Sequence, residues 1–365
     1  MRLFIVLAVV ILLNLSAAIA SDNPPLFPVD VKGKWGYIDK NGHIVIKPQY
    51  NCADYFYEGL AVVGTGHGDS RKFGCIDKAG NIVIELKYSQ IFEFSEGLAA
   101  VQIGDQRMGK WGYLDKTGKM VIPATYDFAN SFYDGLAVVV AGNAWNGYSI
   151  YIDKNGHQAI NNKFECAGPF SEGLAGVMEF DKAWKAGYID KTGTYVIEGL
   201  GSEPDKFSEG LAQFEESGTR NHGFIDKTGM RVIAPQFESA DDFSEGLAVI
   251  SKDWKDGYID KAGKIVIDAK FDNAESFSEG LAVVEITKKD ASPIFKQGQN
   301  MPTFPGRHGY IDKTGKIVIQ PQFYEAEEFK DSLARVWIVD PEFGGKPCYI
   351  DRTGKLVWNG EENHH

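Results

Sequence analysis

Residues 35–46 read Trp35-Gly36-Tyr37-Ile38-Asp39-Lys40-Asn41-Gly42-His43-Ile44-Val45-Ile46, and they return as Trp111-Gly112-Tyr113-Leu114-Asp115-Lys116-Thr117-Gly118-Lys119-Met120-Val121-Ile122. The aspartate of this pattern recurs at Asp39, Asp77, Asp115, Asp153, Asp190, Asp226, Asp260, Asp312 and Asp351. Successive aspartates are 38, 38, 38, 37, 36, 34, 52 and 39 residues apart. A repeat of this length predicts a solenoid or a propeller, and its nine units fill almost the whole chain.

Each unit predicts three short strands, of the types Leu-Ala-Val-Val, Gly-Tyr-Ile-Asp and Ile-Val-Ile. Between the second and third strands, Asp-Lys-Thr-Gly suits a type I turn that ends on a glycine with positive φ. The aspartate can accept hydrogen bonds from N–H groups of that turn, so we interpret the nine aspartates as turn caps rather than as a metal-binding array. Because the strands are continuous apolar runs, we expect both of their faces to be covered.

A second shared block joins consecutive hairpins and is represented by residues 48–63, which include Pro48-Gln49-Tyr50 and Glu58-Gly59-Leu60-Ala61. Its glutamate recurs at Glu58, Glu96, Glu172, Glu209, Glu245 and Glu279. The neighbouring glycine favours a solvated turn for this glutamate, and a shared ring of carboxylates is the alternative.

At these residues the chain resembles the bacterial WG-repeat family, which is named for pairs such as Trp35-Gly36 and Trp111-Gly112. The resemblance spans about residues 26–358, and it departs from the pattern where Phe73, His222 and His308 replace the tryptophan. It implies a β-repeat architecture, propeller-like, without a settled activity.

The expected fold is therefore all-β, an array of nine three-stranded antiparallel units of about 38 residues arranged like a propeller. Propellers typically have about four to eight blades, so an open β-solenoid or superhelix is the alternative.

The chain begins like an exported protein. Arg2 precedes an apolar run over residues 3–15, and Ala18-Ile19-Ala20 offers a cleavage site for a signal peptide. We expect a signal peptide at residues 1–20, one repeat domain at 21–358 and a tail at 359–365. The mature protein would be periplasmic or extracellular, without a membrane span. The four cysteines, Cys52, Cys75, Cys166 and Cys348, are expected to form at most one disulfide.

The formal net charge of −12 disfavours nucleic acid as a partner. The sequence contains no zinc-protease helix, nucleophile elbow or phosphate loop, so it predicts no catalytic residue, cofactor or metal.

Residues that break the repeat are the best candidates for ligand binding, because the scaffold does not require them. Three tryptophans lie just before hairpin strands. The spacing of 52 residues between Asp260 and Asp312 reflects an insertion at residues 285–307. The candidates are Trp145, Trp184, Trp254, Phe295, Phe304 and Arg307. As alternatives, the tryptophans are displaced copies of Trp35 that pack between units, and the insertion is merely tolerated.

Two functions follow from these observations. The first is a non-enzymatic scaffold that binds an extracellular or envelope protein, peptide or glycan. The alternative is a hydrolase of cell-surface carbohydrate, which would require two carboxylates to converge at the centre of the array with displaced pKa values.

Overall fold

The computed structural model describes residues 24–142, 147–181, 183–200, 203–287, 306–340 and 344–360. Within them, nine antiparallel sheets follow one another along the chain and close into a ring of nine blades. The expected all-β propeller is therefore confirmed. Apart from the strands, the described residues form one short 3-10 turn at Gly68–Ser70.

The strands are numbered in chain order. Blades 1 to 3 contain β1 (Phe27–Val31), β2 (Lys34–Ile38) and β3 (Ile44–Tyr50); β4 (Cys52–Tyr57), β5 (Leu60–Thr65), β6 (Lys72–Asp77) and β7 (Ile82–Tyr88); and β8 (Gln90–Ile91), β9 (Leu98–Ile103), β10 (Lys110–Asp115) and β11 (Met120–Tyr126). Blades 4 to 6 contain β12 (Phe128–Ala129), β13 (Ala137–Ala141) and β14 (Tyr148–Ile152); β15 (Cys166–Ala167), β16 (Ala175–Asp181), β17 (Ala183–Ile189) and β18 (Tyr195–Glu198); and β19 (Leu211–Glu215), β20 (His222–Asp226) and β21 (Arg231–Phe237). Blades 7 to 9 contain β22 (Ser239–Ala240), β23 (Leu247–Lys252), β24 (Lys255–Asp260) and β25 (Ile265–Phe271); β26 (Asn273–Ala274), β27 (Leu281–Ile286), β28 (Arg307–Asp312) and β29 (Ile317–Phe323); and β30 (Glu325–Ala326), β31 (Leu333–Asp340), β32 (Gly344–Asp351) and β33 (Leu356–Trp358).

The three strands expected in each unit are confirmed in most blades, but six of the nine sheets have a fourth strand. This extra strand comes first in its blade and is usually only two residues long, as in β8 and β22. Blade 1 lacks it, and blade 4 has only isolated bridges, such as Ile152 to Gln158, where the outer strand would be.

The predicted turn chemistry is confirmed by hydrogen bonds of the capping aspartate. In blade 8, Asp312 Oδ1 accepts the N–H groups of Thr314 and Lys316 at 2.9 and 3.1 Å, and Gly315 has a φ of 78°. The same bonds recur at all nine turns, which fixes the link between the last two strands of every unit.

The glycine of the Trp-Gly pair is required by a close approach of two strands. A Cβ atom added at Gly112 would lie 2.4 Å from the backbone oxygen of Ile122 in the bulged outer strand β11. Two blades have another residue in place of this glycine, Ile150 in blade 4 and Cys348 in blade 9. In both of them the outer strand that would approach it is reduced, since blade 4 has no regular outer strand and β33 of blade 9 has only three residues.

Burial differs between the strands of a blade. In β5 every residue from Leu60 to Gly64 is buried, and the tyrosines of the next strand, such as Tyr113, are fully buried. The third strand is different, since Ile82 is 57% exposed and Val45 is 49% exposed. The expectation that both faces are covered is therefore wrong for the outer strand, which keeps one face in water.

Buried tyrosine hydroxyl groups join consecutive blades. The hydroxyl of Tyr258 donates to the backbone oxygen of Glu275 in the next blade at 2.8 Å. Equivalent bonds are made by Tyr37, Tyr113, Tyr151, Tyr188 and Tyr310. Because a buried polar group without a partner is costly, these bonds hold neighbouring blades in register.

The glutamate of the Glu-Gly turn forms a second link, which we call the clamp. Its carboxylate accepts a hydrogen bond from the backbone N–H of the residue at the glycine position of the next blade. A side-chain or backbone oxygen of the same glutamate also contacts the ammonium or guanidinium group of the Asp-Lys turn in that next blade. The clamps join Glu58 to Gly97 and Lys116, Glu96 to Gly135 and Lys154, Asp134 to Gly173 and Lys191, Glu172 to Gly210 and Lys227, Glu209 to Gly246 and Lys261, Glu245 to Gly280 and Lys313, and Glu279 to Ser332 and Arg352. The turn was predicted correctly, but its carboxylate bridges two blades and is not simply solvated.

The ring closes where blade 9 meets blade 1. Phe27, Val29 and Val31 of β1 pack with Leu333, Tyr349 and Trp358 in one apolar cluster. Closure uses no strand exchange, since each blade is one continuous stretch of chain. The open superhelix is therefore not the arrangement that forms.

Candidate functional site

The two ends of the ring carry different turns. Antiparallel strands alternate in direction, so the turns of hairpins such as β16–β17, β23–β24 and β27–β28 lie at one end, which we call the hairpin face. The Asp-Lys turns and the clamps lie at the opposite end. Among the sequence candidates, Trp184 and Trp254 belong to the β16–β17 and β23–β24 hairpins, whose turns lie at the hairpin face.

Trp254 stands at the tip of the β23–β24 hairpin and is 88% exposed. It and Asp253 form the two-residue turn with φ values of 60° and 53°. This left-handed conformation is strained for a bulky residue, and glycine or asparagine is the usual choice. The backbone N–H of Trp254 donates to Glu238 Oε2 at 3.1 Å. The exposure excludes the alternative in which this tryptophan packs between units.

The other predicted candidates are less fully described. Trp184 lies in β17, where its backbone pairs with that of Phe180, so it belongs to a strand and not to the turn itself. Arg307 begins β28 at the end of the insertion, and its side chain is half-buried. Trp145, Phe295 and Phe304 lie outside the described residues, as do the expected signal peptide and residues 361–365 of the expected tail.

The segments that begin the blades converge on the axis of the ring. Burial raises the pKa of the Tyr133 hydroxyl in blade 4, the charge of Glu93 in blade 3 raises it further, and the charge of Lys206 in blade 6 lowers it. Side chains of three different blades thus act on one another across the centre. Carboxylates predominate in these segments, at Asp54, Glu93, Asp205, Asp241, Asp242, Glu275, Glu327 and Glu328.

One cavity of about 300 Å³ lies at this axis, between blades 9, 1, 2 and 3. We call it the axial pocket, and its lining consists of Pro28, Ala53, Asp54, Tyr55, Tyr57, Glu93 and Arg335. Asp54 is exposed to solvent, but the neighbouring protein still raises the pKa of its carboxyl group through desolvation, and the charge of Glu93 raises it further. The alternative hydrolase function would require two carboxylates to meet at the centre, and Asp54 and Glu93 line the same cavity.

Lys330 lies against two aromatic rings at this pocket. Its ammonium nitrogen is 4.5 Å from the ring centroid of Tyr55 and 4.1 Å from that of Tyr57. The same nitrogen donates to the Tyr57 hydroxyl at 3.0 Å. These distances are within the range of cation–π attraction.

The axial pocket was not predicted from the sequence, although the repeat carries a signal for it. In five blades a serine precedes the Glu-Gly turn and donates its hydroxyl to a backbone oxygen of the next blade, as Ser244 does to Phe277 at 2.8 Å. In the other blades that have a residue before this turn, the serine is replaced by Tyr57, Tyr133 and Lys330. Two of these three exceptions touch each other, so an alignment of the units would have marked the site.

A second cavity, of about 360 Å³, lies beside blade 6, which lacks the short first strand. Gln213 Nε2 donates to Asp205 Oδ2 at 2.6 Å, and its Oε1 is 3.0 Å from His222 Nδ1. These polar groups partner one another, so they have little capacity left for a ligand. His222 occupies the place of a repeat tryptophan.

The cysteines are separate thiols in the structure. Burial raises the pKa of Cys75 to about 12 and that of Cys348 to about 11, so both are protonated near neutral pH. Across the described ranges, no group of three or more histidine, cysteine, aspartate and glutamate side chains is arranged to hold a metal ion. The same ranges contain no helix that is long and apolar enough to cross a membrane.

Seven segments of the chain match the family model described as WG containing repeat, and they are residues 35–66, 73–106, 111–145, 151–182, 223–255, 257–289 and 309–336. No curated protein sequence matches the chain.

Solved structures resemble the fold at low sequence identity. One described as "Crystal structure of the eukaryotic initiation factor" is 11% identical with a TM-score of 0.58, and the match covers 91% of this chain and 95% of the other. A structure from an analysis of two prolyl endopeptidases is 9% identical with a TM-score of 0.44 and covers 82% of this chain and 53% of the other. At such identities the first match supports the propeller fold alone, and the second is too distant to support an argument.

Proposed function

The chain belongs to the WG-repeat family, and we propose that it is an exported, non-enzymatic binding protein for an extracellular or envelope protein, peptide or glycan. A propeller holds many turns in fixed positions on a rigid frame, and binding residues are commonly carried by such turns. The proposal concerns above all the hairpin face, where residues that depart from the repeat stand at the tips of hairpins.

Trp254 is the observation that carries the proposal. Its indole ring is 88% exposed, although exposing a large apolar side chain to water gains nothing for folding. Its backbone conformation would suit glycine better, so the tryptophan also strains the turn. Tryptophan is enriched among the residues that dominate binding energy, and its flat ring can stack on a sugar or an apolar side chain.

The next blade extends the same surface. Blade 8 follows blade 7 in the ring, and the pair Ile286 and Arg307 of β27–β28 corresponds to the pair Lys252 and Lys255 beside the tip of β23–β24. Arg307 at the start of β28 would therefore lie near Trp254 on a shared face. An aromatic ring beside a guanidinium group suits partners that combine apolar and acidic groups.

Export is supported by the first twenty residues, in which a basic start, an apolar run and a small-residue cleavage site follow one another. Sequencing the N-terminus of the protein recovered from outside the cytoplasm tests this part of the proposal. The expected mature protein begins at Ser21. Recovery of the protein only inside the cell, with Met1 to Ala20 retained, would contradict it.

Binding is tested with the purified protein on glycan and peptide arrays, followed by affinity measurements for each hit. Trp254→Ala should weaken binding at least about tenfold, as expected for a tryptophan at the centre of an interface. Met230→Ala is the matched control, because Met230 is 66% exposed but lies in an Asp-Lys turn at the opposite end of the ring. Equal affinity of Trp254→Ala and wild type for every hit would exclude the hairpin face as the binding surface.

A hydrolase of cell-surface carbohydrate is the second candidate, and one observation favours it. Asp54 and Glu93 line the same cavity, and the raised pKa of Asp54 suits a general acid beside a second carboxyl group. Release of reducing ends from cell-wall polysaccharides would then be lost in Asp54→Asn and in Glu93→Gln but kept in Asp268→Asn, an exposed aspartate of β25. Failure of the wild-type protein to release any reducing ends would rule this candidate out.

A further inference from the structure

We infer that the axial pocket binds the primary ammonium group of a ligand between Tyr55 and Tyr57, and that Lys330 is a built-in substitute for this ligand. The inference deepens the proposed binding function by adding a second surface of defined chemistry. Three observations support it. They are the position of Lys330 between two aromatic rings, the two carboxyl groups of the pocket that form no ion pair, and the replacement of the repeat serine at this site.

The ring pair already holds an ammonium group. The nitrogen of Lys330 is 4.1 and 4.5 Å from the two ring centroids, and it donates to the hydroxyl of Tyr57. This arrangement provides the attraction of two aromatic faces and one oriented acceptor, which together select a compact cation that carries N–H donors. The site can therefore recognise a primary ammonium group, because one occupies it in the structure.

Two carboxylates of the pocket are left without a counter-ion. Among the residues that the structure describes, neither Asp54 nor Glu93 takes part in an ion pair. The cation of the lining, Arg335, is engaged with Glu327, whose Oε1 accepts its Nε–H at 3.0 Å. A ligand cation that enters the cavity would thus meet two carboxyl groups that are not already engaged in an ion pair.

The cavity also provides room for the ligand. Its volume of about 300 Å³ is at the lower end of the range for small-molecule sites, and Pro28 and Ala53 supply apolar lining for an alkyl chain. The first segments of several blades carry carboxylates, such as Glu275, Glu327 and Glu328, and these make the approach of a cation favourable.

The broken repeat supplies an independent reason. A serine at the position of Tyr57 would be placed to make the cross-blade hydrogen bond that Ser95, Ser171, Ser208, Ser244 and Ser278 make elsewhere. The chain gives up that bond at Tyr57, and the residue at the same position in blade 9, Lys330, touches this tyrosine instead. The scaffold does not require this exchange.

The test compares n-pentylammonium with the uncharged 1-pentanol in ligand-observed NMR titrations of the purified protein. Removing the competing lysine in Lys330→Ala should tighten n-pentylammonium binding about tenfold or more, because a tethered group competes at a high effective concentration. Lys87→Ala is the matched control, since it removes the same charge from an exposed lysine in β7. In the Lys330→Ala background, Tyr57→Leu and Glu93→Gln should each reverse the gain.

Equal affinity for n-pentylammonium in wild type, Lys330→Ala and Lys87→Ala would overturn the inference, provided that circular dichroism shows all three folded. Binding of 1-pentanol as tight as that of n-pentylammonium would also overturn it, because the pocket would then be merely apolar.

A further arm distinguishes two sources of the ammonium group. Tighter binding of the peptide acetyl-Gly-Lys-Gly-amide than of n-pentylammonium supports a lysine of a polypeptide, and the reverse order supports a small free amine. Trp254→Ala should leave these titrations unchanged, so failure at the axis and failure of the hairpin face are seen separately.

Discussion

The hydroxyl of Tyr349 donates to the backbone oxygen of Pro28 at 2.9 Å, across 321 positions of sequence. It is the counterpart of the bond that other buried tyrosines make to the following blade, but here it joins the last blade to the first. Blade 1 has no short first strand, so Pro28 in β1 supplies the acceptor. The ring of Tyr349 also meets that of Phe27 edge-on at 5.6 Å. Blade 1 has no Glu-Gly turn and takes part in no clamp, so this seam depends on apolar packing, on this buried hydrogen bond and on contacts such as that of the Arg335 guanidinium with the Trp35 ring at 5.9 Å.

Tyr349→Phe should lower the free energy of unfolding by about 1–2 kcal/mol, because the buried oxygen of Pro28 loses its donor. Tyr258→Phe is the matched control, since it removes the same bond between two clamped blades. Denaturant unfolding should give similar losses for both variants. Hydrogen exchange should rise selectively in residues 27–50 for Tyr349→Phe only. The same exchange pattern in both variants would show that the seam is no weaker than other blade contacts.

The clamp of Glu172 should stabilise the ring at neutral pH and lose its effect in acid. Burial opposes ionisation of Glu172, but the hydrogen bond and charge of Lys227 and the N–H of Gly210 outweigh it and lower the pKa. Because the pKa is lowered on folding, the ionised glutamate stabilises the folded state at pH values above its pKa in the unfolded chain, about 4.3. This stabilisation is lost as the pH falls through the pKa of Glu172 in the folded protein.

Glu172→Gln should therefore lower the free energy of unfolding at pH 7 and low salt by at most about 1 kcal/mol, since the pair is partly screened by solvent. The difference from wild type should shrink below about pH 4 and in high salt. Glu85→Gln, which removes an exposed ion pair within one strand, should have less effect. A loss from Glu172→Gln that is the same at all pH values would show that the charge of Glu172 does not matter.

The axial carboxylates should show the opposite dependence on pH. Burial raises the pKa of Asp241, and the charges of Asp256, Asp242 and Asp205 raise it further. A raised carboxyl pKa means that the ionised form is disfavoured in the folded state, so stability rises as the pH falls through the folded value.

Asp241→Asn should accordingly stabilise the protein at pH 7 by less than about 1 kcal/mol, given its contact with solvent. The gain should shrink at a second, lower pH, as the carboxyl group of the wild type takes up its proton. Thermal and denaturant unfolding at both pH values measure this, with Asp268→Asn of β25 as the control for a change of net charge. Destabilisation by Asp241→Asn at pH 7 would indicate that this carboxylate forms a favourable contact.

Trp254→Gly should raise the free energy of unfolding by about 1 kcal/mol, because glycine adopts a positive φ without strain. The same change should abolish binding at the hairpin face, so that stability and binding move in opposite directions.

The free energies of unfolding of Trp145→Ala, Trp184→Ala and Trp254→Ala, measured with denaturant, should stay within about 0.5 kcal/mol of wild type. Losses of about 3–5 kcal/mol at all three would place these rings in the core instead.

The strands and turns could be predicted because their causes lie within a single unit. The hydrogen bonds of Asp312 reach only to Thr314 and Lys316, and the buried face of each strand is visible as an apolar run. Repetition then multiplies the evidence for each element. The outer strand was misjudged because Ile82 and Val83 read as core residues, although no further layer covers them.

Ring closure and the axial pocket depend on contacts that no single unit contains. The short first strands pair over only two residues, as in Ser239 and Ala240, and such a pairing leaves no periodic pattern. The meeting of Tyr57 with Lys330 requires the ring to close, which is a property of the angles between blades. The glutamate clamps were missed for the same reason, since Glu172 finds its partners only after the next blade has packed.

The seam also sets an order of events during synthesis. Nearly all strand pairs form between neighbours in sequence, so each blade can fold soon after it is made. The apolar side chains of β1 are different, because Leu333, Tyr349 and Trp358 that cover them are made last. Until then the nascent protein is a curved stack with an uncovered apolar edge, which exposes it to association with other unfinished chains. The first blade to be made is the last one to be protected.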